Sequence, residues 1–206
     1  MSSRTQKQRI VWHGEDATQL AEFAITLPLL VVFVVGIFDF SGAFTLKQKL
    51  SNIARDAARA AAADPATDLN NGLPYSVSEA FYVFDNYLNA NNLDDCGIRS
   101  MTPTLVAGAN LTWQVSVASS TGSPCGITFT INRGYYFPLG APSPQPDFHC
   151  SPLAPTTGVT QVVSTCVSIK YSYKYRWRFG RVASLLGNIA ILPDDISAIA
   201  VAVNEN

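Results

Sequence analysis

Hydrophobic residues dominate one end of the chain. From Phe23 to Leu46 the only ionisable side chain is Asp39, within a run that includes Leu29-Leu-Val-Val-Phe-Val-Val-Gly-Ile-Phe38. These 24 residues, at about 1.5 Å of helical rise each, are enough to cross a hydrocarbon core of roughly 30 Å. The pattern predicts a membrane-spanning helix. It exceeds the roughly 7 to 15 apolar residues of a cleavable signal peptide's core, and no small-x-small cleavage site follows it, so the segment is expected to stay in the mature protein. Beyond the span, Leu46, Leu50, Ile53, Ala57 and Ala61 recur at steps of four and three, while Lys47, Lys49, Arg55 and Arg59 lie off that stripe. Such spacing predicts that the same helix continues into water with one buried face. Asp64-Pro65 should end it, because a residue before proline is driven out of the helical region.

The remaining pattern predicts a helix followed by strands. Ser76-Val-Ser-Glu79 has the spacing of a capping box, and Val77, Phe81, Phe84 and Leu88 then form one apolar face that frays out at Asn89 to Asn92. Leu111, Trp113, Val115 and Val117 alternate with polar residues, as do Ile127, Phe129 and Ile131. The longest alternation runs from Val167 to Phe179 and the last strand from Ile196 to Val203; a proline-crowded loop covers 140–158. Between the last two strands lies the apolar stretch Val182-Ala-Ser-Leu-Leu-Gly-Asn-Ile-Ala-Ile-Leu192, either a short helix capping the sheet or an exposed partner patch. The fold class expected is α+β: a long transmembrane helix leading into a domain with a second helix and an antiparallel sheet.

Charge and candidate chemistry narrow the function. A net charge of −1 over 206 residues gives no reason to expect a polyanionic partner. The aromatic and basic residues of 167–179 could be read as a nucleic-acid platform, but period-two alternation sends Tyr171, Tyr173, Tyr175 and Trp177 to one face and Lys170, Lys174, Arg176 and Arg178 to the other. The aromatic face is expected to be core, packed on the alanine-rich helix, and no nucleic acid is expected. Catalysis is not expected either: there is no Gly-x-Ser-x-Gly elbow, no phosphate-cradling glycine loop and no paired metal ligands, and His149 is the only histidine after the span. No cofactor, metal or small-molecule substrate is expected. Arg4, Lys7 and Arg9 precede the span and Lys47 and Lys49 follow it, so charge bias sets orientation only weakly. Cys96, Cys125, Cys150 and Cys166 all follow the span, which favours two disulfides on a non-cytoplasmic side. Four cysteines allow three pairings. A turn at Gly108-Ala109-Asn110 would bring Cys96 near Cys125 and leave Cys150 with Cys166.

Glu22 stands at the mouth of the span. A charged carboxylate costs about 2.5–3.5 kcal/mol at the bilayer centre, and the alternative is a headgroup-level residue favouring the helix dipole. The segment Gln19-Leu-Ala-Glu-Phe-Ala-Ile-Thr-Leu-Pro28-Leu-Leu30, with Gly36-Ile-Phe-Asp-Phe40 and the Ala-Ala-Arg element of 52–63, resembles the N-terminal signature of TadE-like proteins, minor pilin-like components of Tad-type type IV pili. That resemblance implies a leader, residues 1–17, cut by a prepilin peptidase between Ala17 and Thr18, although the family's usual residue before the cut is glycine. It implies subunit assembly through Glu22 and Pro28, with Glu22 paired to the new amine of Thr18 on a neighbouring subunit. It also implies residues 18–63 as the membrane and extended helix and 64–206 as an extracytoplasmic pilin-like domain, anchored in a bacterial inner membrane with its N-terminus cytoplasmic. The partners implied are other pilin-like subunits, the assembly machinery and the peptidase. The rival from another class is a membrane-tethered binding domain that never enters a filament.

Overall fold

The computed structural model describes residues 14–65, 67, 69, 72–120, 125–138, 150–151, 160–173, 176 and 193–205. Helix α1, Gly14–Ala63, is continuous for 50 residues and stops at the residue before Asp64-Pro65. Helix α2 is Tyr75–Ala90. After a 3-10 turn at Ile98–Ser100, the strands are β1 Thr104–Leu105, β2 Thr112–Val117, β3 Ile127–Pro138, β4 Gln161–Ser172 and β5 Asp195–Val203. They form one antiparallel sheet in the order β1-β2-β3-β4-β5. The architecture is α+β.

Helix and sheet meet through the faces that the periodicities define. Leu46, Leu50, Ile53, Ala57 and Ala61 of α1 are all buried, together with Val77, Phe84 and Leu88 of α2. Alternate residues of the sheet complete this core: Trp113 and Val115, Ile127, Phe129 and Ile131, Val167, Ile169 and Tyr171, then Ile196, Ala198 and Ala200. Alanines at 54, 57, 58 and 61 let the α1 backbone lie close under the sheet, and alanine is also the strongest helix former. Phe81, half-buried, meets Phe129 edge-on with centroids 5.8 Å apart, while Phe84 lies 4.7 Å from the same ring. The Trp113 indole donates to the Gly72 carbonyl at 2.9 Å, so its buried N–H is satisfied.

Three expectations need correction. Ser76 caps nothing: Pro74, extended at φ −65° and ψ 150°, is the residue before α2, and its carbonyl accepts from the N–H groups of Val77 and Ser78. Proline sets the helix start one residue earlier than the serine would, which puts Ser76 in the first turn and buried, while the Ser78 hydroxyl donates to the Tyr75 carbonyl. Leu111 is not in a strand; it has φ 52° and closes the β1–β2 turn, whose Gly108 has φ 79°. The strand expected over 167–179 instead runs from Gln161 to Ser172. Its first half pairs with Tyr135–Pro138 after a register shift at Asn132/Tyr135, and the chain leaves the sheet after Ser172. Most of the proline-crowded loop 140–158, His149, Lys174, Tyr175, residues 177–179 and the stretch 182–192 lie outside the described residues.

Candidate functional site along the long helix

The N-terminal half of α1 is bare. Leu20, Phe23, Ile25, Leu29, Leu30, Phe33, Ile37 and Phe38 are all exposed, whereas the second half buries its stripe against the domain. Among the described residues this is the one helix long and apolar enough to cross a membrane, with mean hydropathy 2.4 over its most apolar window. The core helix of a soluble protein would hide such a surface; here the apolar side chains face outward all round. Thr18 and Glu22 are exposed on this half, and Ala17 is in its helical backbone. Pro28 lies inside the helix and has no N–H to offer the carbonyl one turn back.

Asp39 marks where the two halves meet. It is only 8 % exposed although it sits in the apolar run, because the domain reaches down to this level of the helix. Next to it, the Tyr173 hydroxyl presses on Gly42 so closely that a Cβ there would be 3.2 Å from it. Burial raises the Tyr173 pKa above the ordinary phenol value, and the Asp39 carboxylate adds to the rise, while Arg176 opposes it. If α1 crosses a bilayer, the hydrocarbon layer has to end near Asp39. Glu22 lies 17 residues earlier, about 25 Å at about 1.5 Å per residue, against a core of roughly 30 Å. If the outer boundary falls at Asp39, Glu22 is a few ångströms inside the inner one, where an unpartnered carboxylate is costly.

Above the boundary, Arg176 departs from its expected place. It does not continue the basic face of β4 but turns back, donating to the Tyr171 hydroxyl at 2.9 Å with its guanidinium 5.3 Å over that ring. Tyr171 in turn donates to the Asp94 carbonyl at 3.0 Å. Burial pushes the Tyr171 pKa up, with the nearby Arg176 charge pulling the other way. Lys170 stays exposed and pairs with Asp195 at 2.9 Å.

Both disulfides form, with Cys96 bonded to Cys125 and Cys150 to Cys166, Cα separations 5.4 and 5.7 Å. This is the pairing that the turn at 108–110 favours. The first ties the segment after α2 to the start of β3. The second lies on the outer face of the sheet in a small cluster with Tyr135, and the Asn132 side chain donates to the Cys150 carbonyl at 2.8 Å. Asp94 gathers with Cys96 and Cys125, but a sulfur in a disulfide offers no thiolate to a metal.

Sequence reasoning missed Arg133. Its side chain is fully buried and closes the far end of α1, donating to the carbonyls of Ala61 and, at 2.8 Å, Asp64. The same guanidinium donates to the Thr165 hydroxyl at 2.7 Å and to the Asn204 side-chain oxygen at 3.2 Å. A cation here completes the unsatisfied carbonyls of a helix C-terminus and complements its dipole. Arg133 keeps the inward face of β3, two residues after Ile131, at the start of a bulge where Asn132 accepts from the Gly134 N–H at 2.8 Å and the register with β4 shifts. One signal was available. Arg133 is the only charged residue between Arg99 and Asp147, and an isolated charge in an apolar strand asks for a buried partner.

No curated protein and no solved structure matches the chain. The family model described as TadE-like protein matches residues 18–59, which takes in the whole exposed half of α1 and most of the half that carries the sheet. From Thr18 to Arg59, the long helix matches the model of the TadE-like family.

Proposed function

We propose that this chain is a non-enzymatic minor pilin or assembly component of a Tad-type pilus or a related secretion system, held in a bacterial inner membrane by the first half of α1. The observation that carries the reading is one carboxylate, Glu22, near the start of a bare apolar helix half that runs up to the buried Asp39. A tether needs only the apolar surface. A subunit that leaves the bilayer for an assembly needs a reason for its helix to find another, and a desolvated acid awaiting a cation supplies one. In this reading a prepilin peptidase cuts between Ala17 and Thr18, and the new amine of Thr18 pairs with Glu22 of the next subunit. The two disulfides support placing residues 64–206 outside the cytoplasm.

The test is complementation of a deletion strain. Glu22→Ala is expected to leave membrane abundance, disulfides and leader cleavage intact while abolishing surface pili and pilus-dependent adherence; Glu22→Gln, which keeps the shape and removes the charge, is expected to fail nearly as badly. N-terminal sequencing of the membrane-extracted protein should begin at Thr18. Full adherence from Glu22→Ala at normal abundance, or an uncut N-terminus in a strain with active peptidase, would favour the tethered binding domain instead.

A further inference from the structure

Phe33, Ile37, Phe40, Phe44 and Lys47 follow one another at steps of four and three and so share one face of α1. All five are exposed, beside the stripe that the sheet buries. Two hollows lie along this face. Among the described residues Val32, Phe33, Gly36, Ile37 and Phe40 line the lower one, of about 460 Å³, and all of these are apolar. In the upper one, of about 490 Å³, Phe40, Ala43, Phe44 and Lys47 stand opposite the start of β5, from Asp195 to Ser197. Each has the size of a small-ligand site. Phe40 belongs to both, so they form one track that is apolar below and carries its charges at the top.

Depth selects the occupant. With the hydrocarbon ending near Asp39, the lower hollow lies inside the bilayer and the upper one at the level of the lipid headgroups. Val32 and Lys47 are 15 residues apart, about 22 Å at about 1.5 Å per residue. One leaflet with its headgroups is about 20–22 Å thick, so the track has the length of one lipid lying along the helix. The Lys47 Cα stands 8 residues beyond Asp39, about 12 Å, and a helical side chain leans back over the turn before it. The ammonium therefore comes down toward the headgroup layer, which is roughly 5–7 Å deep.

The upper end offers donors. The N–H of Tyr173 donates to the Asp194 carbonyl and that of Asn204 to the Val163 carbonyl, so odd-numbered residues of β5 turn their backbone groups away from β4. Lys47 donates to the outward Ser197 carbonyl, and the Ser197 N–H on the same edge has no partner among the described residues. An ammonium has three donors, so Lys47 can hold that carbonyl and an anion together. Asp195 opposes an anion, but its carboxylate is paired with Lys170 at 2.9 Å, and the exposed Asp194 does not line the track. We infer that the track binds one phospholipid of the leaflet on the domain side. An acyl chain fills the lower hollow, and the phosphate accepts from the Lys47 ammonium and the Ser197 N–H. Free phosphate or a peptide strand would use the donors and leave the apolar hollow empty; a phospholipid matches both ends at the depth where it already lies. The inference rests on α1 spanning the membrane and not on the chain belonging to a pilus.

The test extracts full-length protein from native membranes in a mild non-ionic detergent, washes away bulk lipid and weighs the complex by native mass spectrometry. One phospholipid per chain should remain. Phe44→Glu sets an acid beside the phosphate at an exposed position, and Lys47→Gln removes the cation. Each should lower the retained fraction at least fivefold at unchanged membrane abundance and with both disulfides formed, while Lys47→Arg should keep it. Phe38→Ser, exposed at similar depth on the other side of the helix, should leave retention unchanged. Washed protein in micelles doped with phosphatidylglycerol should rebind it; micelles doped with diacylglycerol should give no complex, and excess inorganic phosphate should not displace the lipid. Retention that none of these variants alters would mean annular lipid only and would overturn the inference. Binding of diacylglycerol, displacement by phosphate, or a peptide retained in place of lipid would overturn it too. Absence of lipid with leader cleavage and the Glu22 phenotype intact would remove this site and leave the pilus reading standing.

Discussion

Removing the Arg133 guanidinium should cost as much stability as emptying a fully buried core position. Arg133→Met keeps an apolar stem of similar length and removes every donor, leaving the Ala61 and Asp64 carbonyls at the end of α1 without the charge that satisfies them. Thr165 and Asn204 still have each other, at 2.6 Å, so the loss concentrates on the two carbonyls. Hydrogen bonds to a charged group contribute about 1.5–3 kcal/mol each, and a stranded buried polar group costs about 1–3 kcal/mol. The cost of desolvating the guanidinium offsets part of this in the wild type. The expected net loss is about 3–5 kcal/mol, in line with breaking a buried charged network by removing one partner. For a chain of this size it corresponds to a fall in melting temperature of roughly 6–20 °C, at about 2–4 °C per kcal/mol.

The assay is urea unfolding of the full-length protein in micelles, followed by tryptophan fluorescence, since the Trp113 indole is buried in the core. A lower midpoint at unchanged slope would locate the effect in stability and not in a reorganised native state. Arg133→Lys should recover less than half, because one ammonium cannot span the two carbonyls and Thr165 as the planar fork does. An Arg133→Met protein within about 1 kcal/mol of wild type would refute the reasoning, since the carbonyls would then have found other partners at no cost.

All four cysteines should resist alkylation without reductant, and losing either bridge should cost about 2–4 kcal/mol, read from the same unfolding curves; a labelled cysteine in peptide maps would count against the pairing. Absorbance titration near 295 nm should find Tyr171 and Tyr173 ionising above the ordinary phenol range. Their folded pKa values are raised above the unfolded ones, so the stability they contribute is complete below about pH 10 and is lost as pH climbs through the folded values; a normal titration of both phenols in the folded protein would contradict this. At Gly42, alanine should be nearly neutral, because its helix propensity gain of about 1 kcal/mol opposes the tight contact with Tyr173. Leucine there should displace the ring and cost about 1–3 kcal/mol, and an unchanged melting temperature for Gly42→Leu would show that Tyr173 is not seated on the helix.

Helix α1 was legible almost to the residue because two signals agreed along it: an uninterrupted apolar run, then a stripe at helical period, ended by a proline. The core residues of the sheet were legible for the same kind of reason, period-two alternation on strands with one face buried. What failed was local. Ser76 had the right spacing for a cap, but Pro74 two residues earlier fixed a different start, and a fixed φ outweighs one optional side-chain bond. The alternation from Val167 to Phe179 was a true pattern of residue types without being one strand, since nothing in it marks the departure of the chain after Ser172 or the return of Arg176 over Tyr171. Arg133 carried a signal in its isolation and in its place two residues after Ile131 on the inward alternation, but its partners, the Ala61 and Asp64 carbonyls, Thr165 and Asn204, are distant in sequence and meet it only through the fold.

Two fastenings hold the domain to its helix, and their spacing bears on the assembly reading. At the lower one, Tyr173 lies on Gly42 beside the buried Asp39; at the upper one, Arg133 grips the Ala61 and Asp64 carbonyls and the Glu205 N–H donates to Ala62. Asp39 and Asp64 are 25 residues apart, about 37 Å at about 1.5 Å per residue. Between them α1 is buried along one stripe only, and apolar packing is non-directional, so packing alone would resist separation of helix and sheet better than it resists sliding along the axis. Hydrogen bonds at the helix end are directional and would oppose that sliding. A helix drawn out of a bilayer by its neighbours is loaded along its axis, and the load would reach the domain mainly through Arg133. Arg133→Met should accordingly weaken surface assembly beyond what its reduced abundance accounts for, while Leu50→Ala, which costs comparable stability through a cavity of about 2–5 kcal/mol, should weaken assembly only in proportion to abundance. Equal defects per membrane-inserted molecule would mean that the clamp serves folding alone.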